Sequence, residues 1–436
     1  MGGAVVVVQR LRLRPPQPSD FSSTLRSPAV AARIGVWLGT CFLIAFLTGL
    51  YSHVSQVATP WFAAPTRPIW LYRVTQGLHV ISGTAAVPLL LVKLWTVYPR
   101  LFAKIARRDA RALILLAFER GSIGVLVTGA IFQLVTGLAN SAQWYPWGFA
   151  FPATHYAVAW LVIGALLTHI AVKLPVIRIA FLHDVDEVEE AEEGSDANSP
   201  PRVHPKGQPV AAGAPASAGA QATAGGRASA GSHAVGRSAP LSRRGLLRAT
   251  WLATGVAVLT TAGATLPALR KVSVFGVRSG DGPQGVPINK SAVAAGVVKD
   301  AMAPGYRLTL SAGKQKRQFS RADLEALPQV SVTLPIACVE GWSASGTWTG
   351  VRVADLVAAV SPGRSADVIV TSLQKTGPYI TTMLPANFVA DPDTLLALKL
   401  NGETLTVDHG YPCRIIAPNR PGVLQTKWVS ELAVQA

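Results

Sequence analysis

Five apolar stretches, each close to the roughly 20 residues that carry a helix across a hydrocarbon layer, constrain what this chain can become. They run at Ile34–Tyr51, Val74–Val97, Ser122–Asn140, His155–Leu174 and Ala249–Leu266. Hydrophobic residues make up 50% of the 436 and charged ones only 14%, against roughly 25% charged in a soluble domain. That surplus excludes a wholly soluble enzyme and makes the lipid bilayer the first expected partner. The net charge of +17 would point to nucleic acid if it formed a stripe on a folded surface. Instead it flanks the spans: Arg10, Arg12, Arg14, Arg26 and Arg33 precede the first, and Arg100, Lys104, Arg107, Arg108, Arg111 and Arg120 separate the second from the third. Both segments are therefore expected on the cytoplasmic side, with Trp144, Tyr145 and Trp147 as an outer aromatic belt and no nucleic-acid partner. Cys41, Cys338 and Cys413, the only cysteines, exclude a disulfide scaffold and any four-cysteine metal site.

The chain divides into a basic cytoplasmic tail (1–32), a four-helix bundle (33–180), a linker (181–240), a fifth helix (241–268) and a C-terminal domain (269–436). The linker is acidic from Asp184 to Glu193, then rich in Ala, Gly, Ser and Pro, a composition that predicts disorder. It ends at Leu241-Ser242-Arg243-Arg244-Gly245-Leu246-Leu247-Arg248, which resembles a twin-arginine export signal. The resemblance implies the twin-arginine translocase as a partner, a bacterial cell membrane, and a C-terminal domain exported already folded around a cofactor. Small residues at Ala262-Gly263-Ala264 would permit cleavage, but a signal behind four spans is expected to stay as a fifth helix. Beyond Lys271, short β-branched stretches (Tyr306–Leu310, Val330–Leu334, Val368–Thr371, Cys413–Ala417) alternate with turns and with helical stretches at Arg321–Leu327 and Val353–Val360. That pattern reads as a mixed α+β domain.

Imidazole inside a bilayer is costly unless partnered, so His53, His79, His155 and His169 are functional candidates. His155 and His169 are fourteen residues apart, about 40° from eclipsed and about 21 Å apart in depth on one helix. They share a face near opposite membrane surfaces, as ligands of two stacked haems must. At the outer level the second span offers His79, with Gly83 one turn on. The region Arg33–Arg178 resembles the four-helix b-type cytochrome subunits that connect quinone to hydrogenases and formate dehydrogenases. Their second-helix motif stands intact as His79-Val80-Ile81-Ser82-Gly83; the first-helix motif reads Arg33-Ile34-Gly35-Val36-Trp37, with valine in place of the inner ligand. The resemblance implies one haem b held by His79 and His155, a membrane quinone as partner, and a possible second haem at His169. His169 reads equally well as an interfacial histidine bonded to a backbone carbonyl. His53 is an alternative ligand or a quinone hydrogen-bond partner, and Cys41 is packing.

In the exported domain, Pro335-Ile336-Ala337-Cys338-Val339-Glu340-Gly341-Trp342 closes a strand. Asp408-His409-Gly410-Tyr411-Pro412-Cys413-Arg414 leads to Pro418-Asn419-Arg420-Pro421-Gly422 and Gln425-Thr426-Lys427-Trp428. One thiolate with a converging His, Arg and Lys suits a soft metal and a phosphate-bearing anion. From Lys271 to the last residue the chain resembles the sulfite oxidase fold family of molybdopterin enzymes, close to the subgroup with the molybdenum-dependent methionine sulfoxide reductase. The resemblance implies Cys338 as the molybdenum ligand and catalytic centre, with Mo-molybdopterin held by His409, Arg414, Thr426 and Lys427. It also implies Ser372 against the cofactor and pterin contacts from Arg278 to Gln284. The sulfite oxidases place arginine soon after the cysteine, where this chain has Glu340, Gly341 and Trp342. A neutral or larger substrate follows, with Lys375 and Arg420 as the remaining sources of positive charge and Tyr379, Trp342 and Trp348 as candidate walls. A Cys338–Cys413 disulfide is the plain structural alternative, with Cys413 otherwise a buried thiol.

The expected fold class is thus a multi-domain membrane protein, an all-α transmembrane bundle of four helices plus one anchor, followed by a soluble α+β sulfite-oxidase-like domain. The expected function is oxygen-atom transfer on a small-molecule substrate, with electrons exchanged between quinone, haem b and molybdenum. A dehydrogenase of sulfite or a similar species, and a membrane-anchored binding module without catalysis, are the rivals.

Overall fold

The computed structural model describes residues 25–99, 110–182, 241–262, 265–276, 282–363 and 366–435, together with Ser23 and Val185. Arg278, the acidic run and most of the linker lie outside the described residues.

Five helices among the described residues are long and apolar enough to cross a membrane. α1 (Pro28–Ser55), α2 (Leu71–Val97), α3 (Ala110–Ser141) and α4 (Phe151–Leu182) are each longer than the apolar run that predicted them. α1 begins inside the expected tail because Ser27 caps it, its Oγ accepting from Val30 N at 3.2 Å, with Pro28 in the first turn. α1 lies along α2, α3 along α4, and α1 also meets α4. Leu43, Leu47, Leu91, Phe118, Leu161, Leu167 and Leu252 stay exposed on the outside of the bundle, where only an apolar solvent would suit them. The fifth helix departs from expectation. α5 (Arg243–Ala257) starts six residues earlier, because the Ser242 hydroxyl accepts from Gly245 N at 3.0 Å, and it continues as a wider π turn over Val258–Ala262. The two arginines therefore open the helix rather than precede it, and α5 packs on α2.

The C-terminal domain holds two five-stranded sheets. β1 (Leu308–Ala312), β2 (Gln315–Phe319), β5 (Val368–Ser372), β6 (Thr381–Leu384) and β10 (Val429–Val434) form one, in the order β2-β1-β10-β5-β6, parallel only between β1 and β10. β3 (Val330–Ala337), β4 (Ser343–Arg352), β7 (Leu395–Leu400), β8 (Glu403–Thr404) and β9 (Arg414–Ile416) form the other, antiparallel throughout. Short helices α6 (Ala292–Ala295), α7 (Val298–Ala301), α8 (Arg321–Ala326), α9 (Val353–Ala358) and α10 (Ala386–Ala390) fill the connections. Strand alternation sorts β7 into two cores: Leu396 and Leu398 meet Leu308, Val370 and Leu432 of the first sheet, whereas Leu395 and Ala397 meet Leu334, Ile336 and Trp348.

The domain sits on one end of the bundle. Met383 N donates to Ala58 O at 2.7 Å, Asn387 Nδ2 donates to Ala64 O at 2.9 Å, and Arg67 pairs with Asp391 at 3.2 Å and with Asp393. Asn419, at a φ of 51°, takes Tyr72 N on its Oδ1 at 2.6 Å and donates to Pro65 O at 2.6 Å. Asn419 of the Pro418–Gly422 motif thus docks the domain on the bundle.

Gly350 sits where the β4–β7 register shifts, and a Cβ there would come within 2.1 Å of Leu396 O and 2.6 Å of Ala397 Cα. Gly350→Ala should destabilise the domain by about 1–3 kcal/mol, read as a lower melting temperature of the detergent-solubilised chain.

Candidate functional site: a cysteine turn beside two histidines

β3 ends at Ala337, and Cys338 opens a tight turn in which Cys338 N donates to Trp342 O at 3.0 Å and Gly341 N to Cys338 O at 3.1 Å. Gly341 is needed there. Its φ is +91°, and a Cβ would press against Val80 of α2 at 3.0 Å. Cys338 is only 1% exposed and lies within electrostatic reach of Tyr72, Tyr145, Tyr379 and Lys427. Burial and then the cysteine's charge raise the Tyr379 phenol; burial, Glu340 and Cys338 raise that of Tyr145. Trp342 Nε1 donates to Glu340 at 2.9 Å and Gln143 donates to the other carboxylate oxygen.

Behind this turn the predicted anion-binding side chains converge. Arg414 on β9 is 3% exposed, gives Nη1 to His409 O at 3.1 Å and Nη2 to Gln425 O at 3.2 Å, and stacks over Trp348 at 4.9 Å. Its Nε is buried without a partner, a donor that awaits an acceptor. Burial draws the guanidinium down to about 9. His409 donates Nε2–H to Pro283 O at 2.7 Å; burial, then the neighbouring Arg414 charge, push it down to about 4. Lys427 Nζ donates to Asp408 O at 3.0 Å, to Asn289 Oδ1 at 3.2 Å and to Lys290 O. Burial, aided by Arg414, draws its ammonium down to about 7. Thr426 Oγ1 pairs with Thr382 Oγ1 at 2.9 Å, and Ser372 Oγ donates to Lys427 O at 2.8 Å. Ser372 therefore shapes the lysine's backbone and does not reach outward. A buried thiol, an unpartnered guanidinium nitrogen and a desolvated ammonium fit a thiolate-ligated metal on an anionic, phosphate-bearing cofactor.

Two sequence expectations are corrected and one alternative falls away. No disulfide joins Cys338 and Cys413. Cys413 is a buried thiol 3.1 Å from Tyr306 Oη, pushed up to about 12 by burial. Arg420 is turned inward to Leu424 O and Met383 O at 3.0 and 2.8 Å, and Lys375 is 73% exposed beside Asp300, so neither supplies charge at Cys338.

Below the turn, α2 and α4 present His79 and His155 to each other, ring centres 6.4 Å apart and planes at 73°. His79 Nδ1 bonds Ala45 O at 2.8 Å. His155 Nδ1 bonds Thr136 Oγ1 at 3.1 Å, whose own hydrogen goes to Phe132 O. Both Nδ1 atoms are therefore donors, leaving each Nε2 lone pair for a ligand, the usual arrangement of a metal-bound histidine. With a metal–nitrogen distance of about 2 Å and about 1 Å from nitrogen to ring centre, an ion shared by two imidazoles needs centres about 6 Å apart, which the pair satisfies. A cavity of about 530 Å³ takes in both rings, His53, Gly49 and Gly83, and reaches Val339 and Tyr379 of the domain. Gly83 has open space where a side chain would be, and a Cβ at Gly49 would strike His79 at 2.8 Å. His53 stacks on Tyr156 at 3.8 Å and lies beside the pair rather than between them. His169 is not brought to this group. It lies among Lys93, Lys173 and Glu119, and Lys93 reaches across to Ala31 O at 2.7 Å, against Gly35.

Sequence reasoning missed Gln76, Gln133, Thr136 and Asn140, the polar residues around the imidazoles. Their signal was available as a stripe of buried amides and hydroxyls at helical spacing from a histidine.

Comparison with known proteins bears on the C-terminal part first. Residues 295–436 match the oxidoreductase molybdopterin binding domain family. The protein-methionine-sulfoxide reductase subunit YedZ1 of Azospira oryzae is 31% identical over 138 residues, 31% of this chain and 52% of that protein. Mitochondrial sulfite oxidase of Drosophila melanogaster is 29% identical over 154 residues, covering 30% and 27%. The NADPH nitrate reductase of Leptosphaeria maculans is 35% identical over 103 residues, covering 22% and 12%. The chain therefore spans about half or less of the length of these relatives. Its C-terminal part thus matches a molybdopterin-binding oxidoreductase domain and is sulfite-oxidase-like.

Between about pH 7 and the ordinary lysine value of 10.5, folded Lys427 has lost a proton that the unfolded chain keeps, so stability of the cofactor-free domain rises with pH there. A bound phosphate restores that charge, so its binding takes up a proton and weakens as pH climbs. Titration calorimetry with pyrophosphate on cofactor-free protein should show affinity falling from about pH 6 to about pH 9, with the pH dependence reduced in Lys427→Met.

Proposed function

We propose that the chain is a membrane-bound molybdenum oxidoreductase that passes electrons from a membrane quinol through one haem b to a molybdopterin site, where a neutral sulfoxide-type substrate is reduced. One observation carries the reading: the turn holding Cys338 rests on α2, which supplies His79, and on α3, whose Thr136 bonds His155 of α4, with Val339 lining the same cavity. When bound, molybdopterin supplies two-electron oxygen-atom transfer and haem b supplies one-electron steps.

The chain's own residues fit this work. Cys338 holds the metal, and Arg414, Lys427 and His409 hold the anionic cofactor. Cys338 is itself buried at 1% exposure, which keeps bulk water from it. The neutral-substrate reading is supported by Glu340 in the sulfite oxidases' arginine region and by the inward turn of Arg420. Arginines before α1 and between α2 and α3 support a cytoplasmic position for that end of the bundle, which leaves the domain outside the cytoplasm. Twin-arginine export of a folded domain agrees with that side.

Purified from a host that makes molybdopterin, the protein should carry about one molybdenum and about one haem b per chain. Cys338→Ser should lose the molybdenum and keep the haem; His79→Ala and His155→Ala should lose the haem and keep the molybdenum. Reduced haem should be reoxidised by methionine sulfoxide. Reduction of oxidised haem by sulfite instead would reverse the direction proposed, and a chain with haem but no molybdenum would end the enzymatic reading.

A further inference from the structure

Two side-chain amides from two different helices converge on one main-chain oxygen beside the metal-ligand cysteine. Gln76 Nε2 on α2 and Asn140 Nδ2 on α3 each donate to Val339 O, both at 3.3 Å. Each amide stands about one turn from a histidine contact. Gln76 is three residues before His79, and Asn140 is four residues after Thr136, which bonds His155 Nδ1.

The direction of each amide is set by a hydroxyl. Ser52 Oγ donates to Gln76 Oε1 at 2.7 Å, and Tyr145 Oη donates to Asn140 Oδ1 at 2.9 Å. With both oxygens so engaged, both NH₂ groups must face Val339, and the two lone pairs of its carbonyl are used. Val80, next to His79, meets Gly341 in the same turn. The Cys338 turn is held at three points by residues that flank the imidazoles.

We propose that Gln76 and Asn140 are positioning residues that clamp the Cys338 turn over the His79–His155 pair and make the Val339 carbonyl the contact through which electrons cross between the two centres. The inference rests on the function proposed above and adds the route and the rigidity. Two single-electron passages, with a quinol as reductant and a sulfoxide as oxidant, balance one oxygen-atom removal that takes two protons and releases sulfide and water. Because the clamp is already made in the resting structure, no swing of the domain is needed between passages.

The test uses the full chain in detergent with both cofactors. Gln76→Leu with Asn140→Leu should leave haem and molybdenum content and the haem spectrum unchanged, while reoxidation of reduced haem by methionine sulfoxide slows about tenfold or more. Ser52→Ala with Tyr145→Phe, which frees the amides without removing them, should slow it less. In cofactor-free protein the amides of Cys338 and Gly341 should exchange with deuterium faster in both double variants, a readout independent of turnover. The wild-type rate should not change with solvent viscosity. An unaltered reoxidation rate in the Gln76/Asn140 variant with both cofactors bound, or a rate that falls with viscosity, overturns the clamp. Should that variant lose a cofactor, the Ser52/Tyr145 pair decides by the same criterion. A wild type whose haem no oxygen-atom donor reoxidises overturns the functional reading itself.

Discussion

The carbonyl of Val339, one residue after Cys338, takes its donors from outside its own domain, and that arrangement organises how the two parts of the molecule meet. β3 delivers Cys338 to the edge of its sheet, where a backbone oxygen cannot continue the ladder. Buried carbonyls must find donors or cost about 1–3 kcal/mol each. Here the donors come from outside the domain, from α2 and α3. The same two helices bring His79 and the hydroxyl that aims His155. Satisfying one oxygen therefore fixes where the thiol stands relative to the imidazoles.

A second constraint is the treatment of charge. The domain buries Arg414 and Arg420 and half-buries Lys427, and each bonds neighbouring acceptors, largely main-chain carbonyls, rather than carboxylates. Such groups stay costly until an anion arrives, as their lowered values of about 9, 9 and 7 express. Arg420 has its carbonyls and is finished. Arg414 retains an unpartnered Nε and Lys427 the lowest value, so the remaining cost is concentrated where a cofactor phosphate would remove it. Cofactor binding and domain stability are then linked.

Much of this was legible in the chain. The apolar runs placed five helices because a bilayer leaves few alternatives, and the cysteine and His-Gly-x-Pro-x-Arg segments marked the molybdopterin domain. Helix ends were less legible: Ser27 and Ser242 moved two starts outward through single hydroxyl caps that hydropathy does not weigh. Strands β2, β4, β6, β7, β8 and β10 were missed; in β4 the small residues Ser343, Ala344 and Gly346 are buried by their neighbours without the apolar alternation that marks a strand. Asn419 looked like part of a catalytic motif and turned out to grip the loop before α2. A docking role depends on a surface more than 300 residues away in sequence, and no local pattern announces it.

The contacts between loop 56–70 and residues 383–419 join two parts of one covalent chain. Closing a long loop costs entropy that grows only with the logarithm of its length, and a tether turns association into an intramolecular event with an effective concentration in the millimolar range. The docking surface, which also includes the amides on Val339, therefore has to hold the two halves only against that effective concentration rather than against cellular dilution. Within a single chain it suffices, so the stoichiometry of the two halves is fixed by translation and their meeting is independent of expression level.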